Sequence, residues 1–211
     1  MTTDRLLLAQ LLSPAFPIGS YAYSQGLEAA MVAGQVHDAA SLSDWLRSIL
    51  THGSGRMDAI FIAHARQPDA DLSALADLAY AYAPSAERSI EMRDQGSAFA
   101  QLATTLTGQS IPALPYAIAL GHATSSLTLP TAEIIALYLQ SLAAQLISAA
   151  VRFIPLGAAQ GQHTLASLHP WITEIAADAA TAPLSALASS TLGADIAAML
   201  HETLDVRLFR S

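Results

Sequence analysis

Two stretches of this chain carry residue types and spacings that could do chemistry. Ala22-Tyr23-Ser24-Gln25-Gly26 has the outline of a nucleophile elbow, with alanine in place of the first glycine. On that basis Ser24, activated by one of the histidines, would make the chain a serine-dependent hydrolase of small molecules. An elbow needs a buried strand before the serine, because the sharp strand-to-helix turn is what exposes the hydroxyl. Phe16-Pro17-Ile18-Gly19-Ser20 does not read as such a strand. The plainer alternative is a helix with Tyr21, Ser24, Gln25 and Glu28 on one polar face. The second stretch, His201-Glu202-Thr203-Leu204-Asp205, opens like a zinc-protease helix but lacks the second histidine. His201 and Asp205, four apart, could share a metal ion on one helix face. Two ligands do not make a tight site, and His37, His52, His64, His122, His163 and His169 show no paired spacing. No tightly bound cofactor is expected; a metal handled here would pass through or sit at an interface.

Two groups of arginines stand out next. Arg152, in Val151-Arg152-Phe153-Ile154-Pro155-Leu156-Gly157, is the one cation in a long uncharged stretch. Buried unpaired it would be very costly, so it needs a carboxylate such as Glu133, a cluster of carbonyls, or a partner protein. Arg207-Leu208-Phe209-Arg210-Ser211 sets an apolar pair between two arginines, the composition of an interface anchor. Docking by induced fit on a partner is favoured over docking on the chain's own core.

Composition excludes several classes. The nine cationic residues are all arginine, with no lysine, so Schiff-base and P-loop lysine chemistry is absent. There is no cysteine, which removes disulfides and thiolate metal sites and suits a reducing, cytoplasmic setting. A net charge of −8 argues against a sequence-independent grip on nucleic acid. Only 12% of residues are charged, against roughly 25% in ordinary soluble domains. Between Asp94 and Glu174 the only charged side chains are Glu133 and Arg152, histidines aside. Such a stretch must be deeply buried or covered by a partner. Ile134 to Val151 has no charge, which raises a membrane-associated alternative. Its Gln140, Ser141, Gln145 and Ser148 favour a buried core helix instead.

The elements that must position these residues are helical throughout. Thr3 or Asp4 caps a helix to Leu12, and the loop Ser13–Gly19 breaks it at Pro14 and Pro17. Further helices are predicted over 20–33, from a capping box at Ser41–Asp44, and over 57–65 and 71–83. The series continues over 85–107, 115–123, 130–154, 156–168, 170–181 and 194–204. No segment has strand periodicity with turn chemistry beside it. The expectation is an all-α, single-domain bundle of roughly ten helices without a sheet, spanning 1–211, with 205–211 as a C-terminal partner-binding tail.

Three motifs in order along the chain are similar to those of the UreF family of urease accessory proteins. Ser13-Pro14-Ala15-Phe16-Pro17-Ile18-Gly19-Ser20-Tyr21, continuing through Ser24-Gln25-Gly26-Leu27-Glu28, resembles its N-terminal signature. Arg152, Pro155 and Gly157, followed by Gly161-Gln162, resemble its arginine-then-proline turn. His201-Glu202-Thr203 and Arg207-Leu208-Phe209-Arg210-Ser211 resemble its C-terminal pattern. Ala158 stands where the family commonly has glutamine, Leu200 where an arginine often precedes the histidine, and Asp205-Val206 where tyrosine-serine is frequent. The resemblance implies a nickel-insertion chaperone, not an enzyme, that forms a homodimer. It implies binding to the accessory protein UreD (also called UreH), recruitment of the GTPase UreG, and delivery of nickel in transit to apo-urease. The motif residues Pro14, Pro17, Gly19, Tyr21, Ser24, Gly26, Glu28, Arg152, Pro155, Gly157, His201, Glu202, Arg207, Leu208, Phe209 and Arg210 are then candidate partner contacts. The polar N-terminal helix (Tyr21, Ser24, Glu28) and Arg93 are candidates for the GTPase-facing surface, and Arg93 or Arg207 for an arginine finger.

Overall fold

The computed structural model describes residues 3–211. Among them are ten α-helices, two short 3-10 turns and no strand. The helices are α1 (Thr3–Leu11), α2 (Leu27–Val32), α3 (Ala39–His52), α4 (Ser54–Ala65), α5 (Leu72–Ala81), α6 (Ala86–Thr107), α7 (Tyr116–Ala123), α8 (Thr131–Phe153), α9 (Ala158–Ala179) and α10 (Leu192–His201).

Local chemistry sets most helix ends. Asp71 accepts from Ala74 N at 3.0 Å and Ser85 from Arg88 N at 3.2 Å, each satisfying a free first-turn donor. Gly108 closes α6 at φ 73°, where a side chain would be strained. The capping box of α3 lies one turn earlier than predicted: Asp38 and Ser41 cap each other reciprocally.

Helix α8 is the axis. It is long and apolar enough to cross a membrane by length and composition. Here it packs against α9, α4, α3 and α2. Its polar side chains make specific internal bonds: Ser141 donates to Leu12 O, Gln145 to Ser20 O, and Tyr138 to Asp58. The uncharged middle of the chain is therefore largely internal, with α7 almost wholly buried. Gly121 of α7 lies so close to α4 that a Cβ would fall 2.8 Å from Ile62 O. Where α3 packs on α9, Arg47 stacks over the Trp171 ring.

Two predicted elements differ. The two helices expected around Pro170 are one, α9. Proline deprives the Ala166 carbonyl of its donor, but Ala166 and Pro170 both lie on the exposed face, where water can replace it. The helix expected over 20–33 is broken: a 3-10 turn at Ser20–Ala22, an extended Tyr23, then Gln25 at φ 56° and Gly26 at φ 80° before α2. The central helices show few large exposed apolar side chains, among them Leu137 on α8 and Trp171 on α9. The densest group of exposed apolar side chains lies on α10 and beyond it, at Leu192, Ile196, Met199, Leu200, Val206 and Leu208.

Candidate functional site: a clamp joining the three motifs

The break after Tyr23 forms the site. Left-handed backbone at Gln25 and Gly26 turns Ser24 and Glu28 inward, where both are buried. Gly26 is required twice over. Its φ is positive, and a Cβ there would lie 2.6 Å from Ala198 N of α10. This close approach brings His201, at the end of α10, onto Glu28.

The tail then seats against the same turn. Ser24 N donates to Ser211 O at 2.7 Å, and the Ser24 hydroxyl donates to the same oxygen. Arg210 N donates to Ala22 O at 2.8 Å. The Glu28 carboxylate accepts Leu208 N at 2.7 Å and Phe209 N at 3.1 Å. The third contact of Glu28 is His201 Nε2, at 3.0 Å. The other ring nitrogen, Nδ1, lies 2.6 Å from Glu87 of α6, whose second oxygen pairs with Arg207. An imidazole with carboxylates at both nitrogens needs a hydrogen on each, or a proton on one carboxyl. Glu87 N in turn donates to Glu202.

Arg152 completes the clamp from the end of α8. It donates to Ser148 O and, at 2.9 Å, to Tyr21 O, and its guanidinium lies 4.6 Å from the centre of the Phe209 ring. Glu133 is not its partner; that carboxylate pairs with Arg5 at 2.7 Å, which holds it below its usual range. Arg210 stacks over Tyr23.

Several sequence readings are corrected here. Phe209 does not await a partner: it and Ser211 are buried and dock the tail on the chain's own helices, while Asp205, Val206, Arg207, Leu208 and Arg210 are exposed. Ser24 and Glu28 share no exposed helical face, so neither can face a GTPase; Tyr21, 72% exposed, can. The Ser24 hydroxyl is engaged by Ser211 O and Glu28 N, and no histidine among the described residues hydrogen-bonds to it, so it has no general base. His201 and Asp205 form no metal pair, because His201 is fully buried between two carboxylates while Asp205 is exposed. Among the described residues no group of three potential ligands suits a metal ion. Pro14, Pro17 and Pro155 are exposed, and Gly19 takes a positive φ. Gly157 caps α9 by donating to Gln160, yet its Cβ position is open, so the internal packing does not explain glycine there. Arg93 is exposed and loosely paired with Asp94.

Behind the clamp lies a cluster not apparent in the sequence. Arg88 and Glu91 of α6 form a buried ion pair, and Glu91 also accepts from Ser211, Gln25 and Gln95. Asp58 of α4 accepts from Tyr138 at 2.7 Å. Asp58 keeps a little accessible surface toward a small cavity, but the protein packed around it pushes its carboxyl up to about 6, against the pull of Arg88. One signal was available: Glu87 and Glu91 stand four apart on α6. Like charges at that spacing repel unless cations or donors meet them, as the tail does here.

The relatives of this chain define one class, the urease accessory proteins, and not an enzyme. Residues 36–169 match the family model described as UreF. A protein of Cereibacter sphaeroides named urease accessory protein UreF is 54% identical over 211 residues, covering all of both chains. One of that name from Paracoccus denitrificans is 53% identical over 98% of this chain and 96% of its own. Another, from Roseobacter denitrificans, is 42% identical over 100% of this chain and 96% of its own. The chain belongs to the UreF family.

Proposed function

We propose that this chain is a docking scaffold for nickel insertion into urease. The observation that carries the proposal is the apolar surface along α10 and the tail, formed by Leu192, Ile196, Met199, Leu200, Val206 and Leu208 and held in place by the clamp. A surface this rich in exposed apolar residues marks a protein contact. The hydrogen bonds of Leu208 and Phe209 to Glu28 fix the tail before any partner arrives, so less ordering cost falls on binding. In this scheme UreD (UreH) covers that surface and a second copy completes a homodimer. UreG is recruited on the side bearing Tyr21 and Arg93. The scaffold modulates GTP turnover by binding one state of UreG more tightly than another. As a candidate finger Arg93 fits better than Arg207, which Glu87 already holds. Nickel is cargo on its way to apo-urease, not a resident cofactor, and the work is done in the cytoplasm without nucleic acid or membrane.

The test is co-purification with UreD. A Val206→Asp, Leu208→Asp double variant alters exposed side chains and leaves the clamp bonds in place. It is expected to keep its thermal unfolding profile and lose UreD. Retention of UreD at wild-type yield would overturn the assignment of this surface. In parallel, unchanged UreG turnover and binding with Arg93→Ala would remove Arg93 from the scheme.

A further inference from the structure

Sulfur in this chain is confined to five methionines, since there is no cysteine. Met31 and Met57 are each 6% exposed, and Met92 packs partly buried against the core. Met1 lies outside the described residues. Met199 is different, with 51% of its surface in solvent. An oxidant in solution reaches that thioether in the folded protein. It reaches the buried ones only when the structure opens locally, which costs free energy.

The place of Met199 gives its oxidation a consequence. Leu192, Ile196, Met199 and Leu200 follow the spacing of one helical face of α10, and all four are exposed. The opposite face, formed by Ala197, Ala198 and His201, is buried and holds α10 to α2 and to the clamp. Met199 therefore stands in the apolar stripe, away from the face that anchors the helix. A thioether is flexible, apolar and polarizable, which suits contact with a partner. A sulfoxide at the same place is polar. Covered by a partner that offers no donor, its oxygen loses water without replacement, and that loss weakens the contact.

We propose that Met199 is a modification site for peroxide, and that its sulfoxide weakens docking at the α10 surface. A lone pair on Met199 Sδ attacks one oxygen of hydrogen peroxide and the O–O bond breaks. The attacked oxygen stays on sulfur, and its proton passes to the departing hydroxide, which leaves as water. Sulfur loses two electrons and the peroxide gains them. Methionine sulfoxide reductases reverse the change, so the surface can be restored. The preference of peroxide for Met199 stands on exposure alone; the effect on docking rests on the partner surface proposed above.

The test exposes the full chain to hydrogen peroxide for graded times and follows each methionine by peptide mass spectrometry. Met199 is expected to gain its oxygen at least about tenfold faster than Met31 and Met57, which wait on local opening. The chain oxidised at Met199 should keep its thermal unfolding profile and bind UreD at least about tenfold more weakly. Treatment with methionine sulfoxide reductases should restore the affinity. Met199→Leu should bind UreD equally well before and after peroxide; if that variant fails to fold, the reductase reversal decides the question. UreD bound beforehand should slow oxidation of Met199 by a similar factor. Oxidation of Met31 or Met57 as fast as Met199 would overturn the site. Undiminished UreD affinity of the oxidised chain, where Val206→Asp, Leu208→Asp still abolishes binding, would overturn the docking effect and leave the partner surface standing. Retention of UreD by both the oxidised chain and that double variant would overturn the partner surface and the docking effect together.

Discussion

Replacing Glu28 by glutamine keeps the shape of the clamp and changes its chemistry. Glu28 accepts from Leu208 N on one oxygen and from Phe209 N and His201 on the other. Glutamine keeps one acceptor, and its NH2 must point at a donor. The smallest loss is one charge-assisted bond, about 1.5–3 kcal/mol, with the two remaining bonds reduced to roughly half. Together that is about 3–6 kcal/mol, enough to release the tail while the core stays folded, because the tail rests on the surface of α2 and α6. Hydrogen exchange reads this directly. The Leu208 and Phe209 amides should lose protection by about a hundredfold or more, since each 1.4 kcal/mol is about tenfold. The amides of Leu139 and Leu146 in α8 should be unchanged. If the tail amides change less than about threefold, or if α8 loses protection in step with them, the clamp is not the separable unit described here.

Three further outcomes are expected. Gly26→Ala places a Cβ against the α10 backbone at a positive φ and should lower stability by about 2 kcal/mol or more, measured from urea midpoints. Asp58 is raised from 3.8 to about 6, so its contribution to stability is full below its unfolded value and disappears as pH rises through about 6. Unfolding free energy should therefore fall by about 2 kcal/mol between pH 4 and pH 7 from this group, and Asp58→Asn should flatten that slope relative to wild type. Pro170→Ala restores a donor for Ala166 in mid-helix and should raise stability by about 1–3 kcal/mol; an unchanged midpoint would mean that α9 already accommodates its proline without cost.

The sequence disclosed what is local. Ser85, Asp71 and Gly108 mark helix ends because their chemistry acts within one turn. The bundle class followed from helical periodicity and abundant alanine. The turn at Gln25 was hidden, since alanine-rich neighbours favour helix and the left-handed conformation of Gln25 is imposed by the packing of α2 on α10. Pro170 misled in the opposite direction, because whether a lost backbone bond matters depends on which face meets water. The convergence of the motifs was invisible because it is made by bonds between residues as far as 187 apart. Family likeness grouped the right residues but gave no hint that Ser24 and Glu28 face inward toward the tail.

The clamp also imposes an order of events. Residues 207–211 leave the ribosome roughly 10–40 s after Ser24, at ordinary rates of synthesis over 187 residues. During that interval α2 to α9 can already be assembled while Glu28, Glu87 and Glu91 lack the amides, arginine and hydroxyl that later meet them. A nascent or shortened chain would thus present an open acidic notch where the finished protein has a closed one.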